Sequence, residues 1–288
     1  MSKVKKIDDS FGKKIRENLQ ADCQNCFALC CTALNIVASS DFAMNKPAGI
    51  PCQNLKTDFS CQIHGNLRDK GFKGCTVFDC LGAGQKVSQT TFHGQDWRQY
   101  PTHADTMFQV FPIMEQLFEM IAYIAESLSY TVDPQLYNRL LEQLEKLQLA
   151  TELDAATLLT IDIPNFRMPV NMLLLETSME IRQRFIKTVG GKTSRKYSYQ
   201  GVDWMGKNLK GKDLRAMDLR GAYLIAANLQ QADLRVVDFI GADLRDANLR
   251  GADLSTAMFL TQMQINSAKG DKQTKLPSHL KHPTHWLN

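Results

Sequence analysis

The chain has 288 residues, 44% of them hydrophobic and 22% charged, with a net charge of +4. That composition suits a soluble chain of two or three domains, and the charge is too weak to imply a nucleic-acid partner. No apolar run approaches the ~20 residues of a membrane-spanning helix. The Lys-rich opening from Met1 to Leu19 lacks the apolar centre of a secretory signal. The chain therefore reads as cytoplasmic, a compartment that keeps thiols reduced. Its charge is uneven: +4 over 1–100, −6 over 101–190, +3 over 191–202, zero over 203–262 and +3 over 263–288.

All eight cysteines lie between positions 23 and 80: Cys23, Cys26, Cys30, Cys31, Cys52, Cys61, Cys75 and Cys80. Cys23 and Cys26 form a C-x-x-C knuckle, a spacing that lets two thiolates reach one ion from a single turn. Cys26 and Cys30 would share a face if they lay on one helix. Cys75 and Cys80 would close the site and tie down the loop-rich stretch from Asp41 to Lys86. A disulfide framework fits the even count but not a reducing compartment, and inert buried thiols fit poorly with such clustering. Metal binding by the set is the expectation, with zinc and an iron–sulfur cluster equally served by thiolates. Such a metal can supply folding free energy that a small core lacks. Gly82 and Gly84 read as a turn leaving this module, because the Lys86 that follows is not part of a complete phosphate loop. His93, near Asp96 and Trp97, reads as a loop residue; it or His103 would be the added ligand of a mixed centre.

The arrangement resembles the bacterial zinc- or iron-chelating CxxCxxCC family. Its opening corresponds to Cys23, Cys26, Cys30 and Cys31. Its later elements correspond to Pro51-Cys52, to Cys61-Gln62-Ile63-His64, and to Cys75 through Phe78-Asp79-Cys80. Here three residues rather than two separate Cys26 from Cys30, and His64 stands where that family tends to have Tyr. The resemblance implies chelation, not a reaction.

From about His103 the period becomes helical. Met107, Val110, Phe111, Met114, Leu117, Phe118, Ile121, Ala125 and Leu128 fall on one face. Asp133-Pro134 is an N-cap followed by Pro at the first helical position, and Leu136, Leu140, Leu144 and Leu147 form the stripe of a second helix. A short helix is expected over Leu153–Leu159, a break at Ile163-Pro164, and a third long helix from Met168 to Thr188. Met172, Leu175, Met179 and Ile186 would be its core face. The glutamates of this block, among them Glu115, Glu119, Glu126, Glu142 and Glu145, read as a solvated face, since no Glu-x-x-His pair accompanies them.

Beyond a basic linker, a large apolar residue returns every fifth position: Trp204, Leu209, Leu214, Leu219, Leu224, Leu229, Leu234, Phe239, Leu244, Leu249, Leu254 and Phe259. Asp or Asn usually precedes it and Ala often stands two before. Period five is neither helix nor strand and reads as stacked repeats. Four units would close a turn of about 20 residues, with coils at ~4.8 Å spacing. The large and small side chains would face inward, and Asp or Asn would brace each bend. These residues resemble the pentapeptide-repeat family, which implies a right-handed quadrilateral β-helix. Val202, Lys207, Lys212, Met217 and Val237 depart from Ala, and Tyr223 and Met258 from Asp or Asn, so the first coil is expected to be ragged. Thr261–Ala268 would be a helix capping the end. In the tail, His282 and His285 form an H-x-x-H spacing, although Pro283 favours a turn that packs Trp286 onto the rod.

The expected organisation is multidomain α+β: a Cys-rich module (1–100), a helical domain (101–189), a linker (190–201), a pentapeptide-repeat β-helix (202–262) and a cap and tail (263–288). The expected function is a metal-binding interaction scaffold, with zinc or iron held by the eight cysteines and a protein partner on the β-helix face. An iron–sulfur or iron-dependent enzyme is the alternative. A DNA mimic that protects topoisomerases, implied by some relatives of the repeat family, is opposed by the balanced rod charge and its short length.

Overall fold

The computed structural model describes residues 9–189 and 197–287. Most of the expected linker, residues 190–196, lies outside the described residues. The chain forms two compact units, Met1–Leu174 and Leu175–Asn288. No helix among the described residues is long and apolar enough to cross a membrane.

The first unit opens with α1 (Asp9–Asn18), followed by the short helices α2 (Leu29–Thr32), α3 (Lys73–Val77) and α4 (Ala83–Gln85). Between them the Cys-rich stretch is loop, held by single antiparallel bridges at Ile36–Lys46 and Leu55–Cys61. Its body is built by α5 (Ala104–Leu128) and α6 (Pro134–Thr151), which pack together across a short link. The apolar stripe of α5 is buried as its spacing predicts, with Phe118 at partial exposure. Asp133 caps α6 by accepting the Gln135 amide at 2.8 Å, and the expected leucines of α6 are buried. Helix α1, which carries no clear sequence signal, packs on α5 through Gly12. A β-carbon there would lie 2.2 Å from the Ala125 carbonyl oxygen, so only glycine permits the approach.

Asp154 caps the short helix α7 (Ala155–Leu158), as expected. The next helix, α8, starts at Ile163 rather than Met168 and runs to Thr188. Pro164 sits in its first turn, where no intrahelical donor is required, so it opens the helix instead of breaking it. The expected core stripe of α8 is also corrected. Met172, Leu175 and Met179 are exposed, at 70%, 45% and 50%, and Ile186 is half-buried. The buried face carries Val170, Leu173, Leu174, Thr177 and Ser178, because small polar side chains let this helix lie close on the rod in its second half.

The second unit is the four-sided coil. Parallel bridges join Asp203 to Tyr223, Asn208 to Asn228, Asp213 to Asp233 and Asp218 to Asp238, and each column continues one coil further. Each of these rungs therefore advances twenty residues, four units of five, as from residue 203 to 223. Leu and Ala face inward together in one continuous core with Trp204 and Phe239. Each buried Leu contributes about 1.5–3 kcal/mol. At the corners the Asp or Asn side chain accepts the amide two residues on, for example Asp203 from Met205 at 3.0 Å and Asp243 from Arg245 at 3.1 Å. Two positions after each inward large residue from Trp204 to Leu249 the backbone takes positive φ, as at Gly206, Gly221 and Gly241, and also at Ala226 and Gln231.

The first coil is more regular than expected. Pairing begins already at Ser198 with Asp218. Lys207 and Lys212 occupy inward Ala positions by sequence yet remain exposed, because a terminal coil leaves room for their stems to reach water. One side of the rod carries the end of α8. Arg182 donates to Asp218 at 3.2 Å and to the Ala216 carbonyl, and Asp238, fully buried, is held by Arg220 at 3.5 Å. The far end is closed by α9 (Gln262–Ser267), whose capping box pairs Thr261 with Gln264. Gln264 donates to the Phe239 and Ala242 carbonyls of the last coil. The tail adds two more rungs, Lys269 to Asn248 and Lys275 to Asp253. Trp286 is buried over Gly270 and donates to the Ala268 carbonyl at 3.0 Å.

Two outcomes follow from this packing. Leu234 is fully buried, so Leu234→Asp places an unpaired carboxylate in the rod and should cost about 4 kcal/mol or more. Far-UV circular dichroism should show loss of the β signal; an unaltered spectrum and melting curve would contradict the register. On α5, burial first and Glu119 second push the Glu115 carboxyl up to about 7. Its folded value lies above the unfolded one, so its contribution is present at low pH and is lost as pH rises from about 4.5 to about 7. Glu115→Gln should therefore stabilise the protein at pH 8, by up to about 2 kcal/mol after allowance for solvent contact, and change little at pH 4.5. Thermal melts at both pH values decide it, and equal effects at both would refute this assignment.

Candidate metal centre

The opening of the Cys-rich stretch is shaped by Asp22. Its carboxylate accepts the Gln24 amide at 3.1 Å and the Asn25 side chain at 2.7 Å, closing a tight turn over Cys23–Asn25. Cys26 then extends, and Ala28 takes φ 55° before α2 begins at Leu29. Cys26 and Cys30 therefore do not share a helical face, contrary to the spacing argument. The extra residue between them is absorbed by the left-handed bend at Ala28. Helix α2 carries the adjacent pair Cys30 and Cys31, whose sulfurs lie 3.9 Å apart.

The expected turn at Leu81–Lys86 is instead the floor of this site. Gly82 has φ 106°, helix α4 follows, and the chain continues as a π-helical turn over Lys86–Thr91, a geometry frequent at functional sites. This segment clasps the knuckle. Gln85 accepts the Asp22 amide at 3.0 Å and donates to Gln20 at 2.7 Å. Ser88 accepts the Phe27 amide, and Gln89 donates to the Asn25 carbonyl. A β-carbon at Gly84 would sit 2.7 Å from the Cys26 sulfur and 3.7 Å from that of Cys80. The bare backbone there is what lets these two thiols approach.

Several sulfurs are met by donors. Cys80 receives the Gly82 and Gly84 amides, Cys26 the Leu29 amide and the Ser88 hydroxyl, and Cys61 the Ile63 amide. On the other side of α2, the Cys52 amide donates to the Cys31 carbonyl at 3.0 Å, and Leu55 links Cys52 to Cys61 through its amide and its bridge. Lys46 lies between these loops with only 2% exposure. Its ammonium donates to the carbonyls of Thr32, Leu34, Pro47 and Ile50 at 2.6–3.0 Å. Burial lowers the affinity of Lys46 for its proton, and the thiols of Cys52, Cys31 and Cys30 oppose that shift.

All eight cysteines are free thiols, with Cys23 and Cys75 exposed and the others half-buried. Burial is the first cause that pushes Cys26 up to about 11 and Cys75 up to about 12, and neighbouring thiols add to it. Those neighbours overlap around α2. Cys23 lies within electrostatic reach of Cys80 and Cys31, Cys26 of Cys80 and Cys23, and Cys30 of Cys31, Cys26 and Cys23. Cys61 faces Cys31 and Cys52, and Cys75 faces Cys31, Cys52 and Cys61. Cys75 and Cys80, expected to close the site together, are not among each other's neighbours. Among the described residues, no three His, Cys, Asp or Glu side chains are already arranged to hold a metal ion. The donors match a thiophilic ion in type, and their sulfurs would have to close on it.

Four histidines have other settings. His103 stacks on Tyr100 and tilts against Phe92, and His93 sits at a left-handed bend. His282 and His285 each point a ring nitrogen at a separate carbonyl, of Thr274 and Ala268, which serves the cap. Trp97 donates to the Phe27 carbonyl at 2.8 Å and packs edge-on to Phe59 and Phe108. Arg98 lies over Phe59 and Trp97 and bonds the Lys56 and Thr57 carbonyls.

Residues 218–255 match the model of the pentapeptide repeats, in eight copies. Among solved structures, the chain is similar to HetL, a pentapeptide-repeat protein involved in heterocyst differentiation regulation from Nostoc sp. strain PCC 7120. The two are 26% identical over 30% of this chain and 37% of HetL, with a TM-score of 0.24. It is also similar to the pentapeptide-repeat protein alr5209 of Nostoc, at 26% identity over 37% of this chain and 87% of the other, with a TM-score of 0.18. Along nearly its whole length it is similar to the uncharacterized protein YybG of Bacillus subtilis (strain 168), 52% identical over 272 residues, which covers 94% of this chain and 96% of the other. The chain is therefore a pentapeptide-repeat protein belonging to the same family as YybG.

Proposed function

We propose that the chain is a metal-binding pentapeptide-repeat protein of a reducing compartment. Zinc or iron held by residues 23–80 stabilises the Cys-rich loops, and the repeat rod serves as a non-catalytic docking surface for a protein partner. The observation that carries the metal assignment is eight free thiols within residues 23–80, two of them, Cys26 and Cys80, brought together over the bare backbone of Gly84, with amides at Cys26, Cys61 and Cys80 opposing the burial that raises these thiols. An N–H aimed at sulfur favours the charged thiolate over the thiol and orients it as a ligand. Lys46 adds a fixed positive charge beside Cys31 and Cys52. The resemblance of residues 23–80 to a metal-chelating family points the same way. Bound metal would supply the charge that buried thiolates lack, in a segment whose loops bury little apolar surface.

The docking half rests on the rod. Its outward columns are rigid and in register, and much of their charge is paired locally: Arg215 with Asp213, Arg235 with Asp233, Arg245 with Asp243. Such a surface suits recognition by shape and hydrogen bonding. It is poorly suited to imitating the continuous negative charge of DNA.

Full-length protein purified without air should carry zinc or iron in stoichiometric amount, and a chelator should lower its melting temperature. Colourless zinc protein assigns the metal a structural role. Iron with sulfide and a visible charge-transfer band would bring the redox alternative forward. Metal-free protein whose melting is indifferent to chelator would overturn the proposal.

A further inference from the structure

The far end of the rod is closed by α9 and the tail; the near end presents a backbone edge. On the side that carries Asn208, the Leu209 and Gly211 amides of the first coil donate to the Asn228 and Gln230 carbonyls of the second, and the Lys207 carbonyl accepts the Asn228 amide. One coil further on the pattern repeats: Leu229 and Gln231 donate to Asn248 and Arg250, and Ala227 accepts from Asn248. The groups that the second coil turns toward the first are thus the Asn228 amide and the Asn228 and Gln230 carbonyls. Their counterparts in the first coil are the Asn208 amide and the Asn208 and Lys210 carbonyls. These point away from the second coil and meet no partner among the described residues. Such a row of donor and acceptors is what an added strand completes.

Three exposed lysines surround this edge, Lys207 before it, Lys210 on it and Lys212 after it. Outward arginines elsewhere on the rod pair with an aspartate two residues away, as Arg215, Arg235 and Arg245 do. The three lysines have no ion pair among the described residues; Lys207 instead lies over the Trp204 ring at 5.1 Å. Resting on the docking half of the reading above, we propose that the Asn208–Lys210 edge takes an extended, acidic segment of a protein partner as an added strand. A second copy of the chain fits this edge poorly, because lysines would meet lysines. A nucleic-acid backbone offers acceptors to the lysines and to the Asn208 amide but leaves the two carbonyls without donors. A peptide supplies both, and carboxylates on its alternate residues share one face, where they meet the lysines.

Binding is measured on the full-length chain by fluorescence anisotropy at low salt, with a fluorescein-labelled Thr-Glu-Val-Glu-Thr-Glu peptide as the probe. The wild type should bind it, and hydrogen–deuterium exchange should slow in the segment around Asn208. The same peptide N-methylated at every amide keeps its charge but has no N–H to donate, and should bind about tenfold more weakly or worse. Lys210→Glu with Lys212→Glu should weaken the unmodified peptide by about tenfold or more. Circular dichroism should not change, since both side chains are exposed; Lys207 is left in place because it covers Trp204. No binding, equal binding of the N-methylated peptide, equal binding by the double variant, protection away from the first coil, or tighter binding of a labelled oligothymidylate would each overturn the edge assignment. Affinity capture from cell lysate separates that failure from failure of the docking reading. Proteins held equally by wild type and double variant would overturn the edge and leave docking elsewhere on the rod. No protein held by either would overturn the docking reading as well.

Discussion

The second unit depends on one packing constraint: a large and a small inward side chain must share each side of a square coil. Every Leu of the rod from Leu214 to Leu254 is nearly or wholly buried, and so is each Ala beside it. Large residues in both places on every side would exceed interior packing density, although Met217 and Val237 are accepted in the small place on two sides. Two small ones would leave a void that costs stability. The five-residue repeat meets this condition on most sides, and the backbone ladder then falls into register without long strands. The corner bonds of Asp and Asn and the positive-φ residue complete each bend. Once that core is set, its end must be closed, and α9, Trp286 and the two tail rungs do so.

The first unit is organised by the opposite circumstance. Its helices have an apolar interior, but residues 20–80 are mostly loop with few buried large side chains. What holds them is polar and specific. Lys46 gathers the four carbonyls of Thr32, Leu34, Pro47 and Ile50. Gln85, Ser88 and Gln89 bind the knuckle backbone, and Arg98 seals the loop at Lys56 and Thr57. Bonds of this kind fix conformation better than they add net stability. In that setting a metal held by thiolates would be a folding element as much as a cofactor.

Several expectations failed for reasons that local pattern does not contain. The Met-rich stripe of α8 has helical period, but period says only that one face differs from another. The side that meets the rod carries Thr177 and Ser178, and the Met stripe is exposed. Cys26 and Cys30 have helical spacing, but the backbone between them turns left-handed at Ala28. Gly84 reads as loop punctuation, and its meaning lies in a sulfur reached from nearly sixty residues away in sequence. The glycines two places after five of the inward residues were a legible signal that the sequence reading passed over, since Gly206, Gly211, Gly221, Gly241 and Gly251 occupy positive-φ corners.

The sequence by itself determined the repeat architecture, the two principal helices with the Asp133 cap, and the clustering of all eight thiols between residues 23 and 80. Each of these rests on a period or spacing that local backbone geometry must obey. Only the tertiary structure decided which face of α8 is buried, that Lys46 is the buried cation of the Cys-rich loops, and which thiols neighbour one another. Those outcomes depend on contacts between residues distant in the chain, where burial and charge are set by whatever surface arrives opposite, and no local pattern specifies that surface.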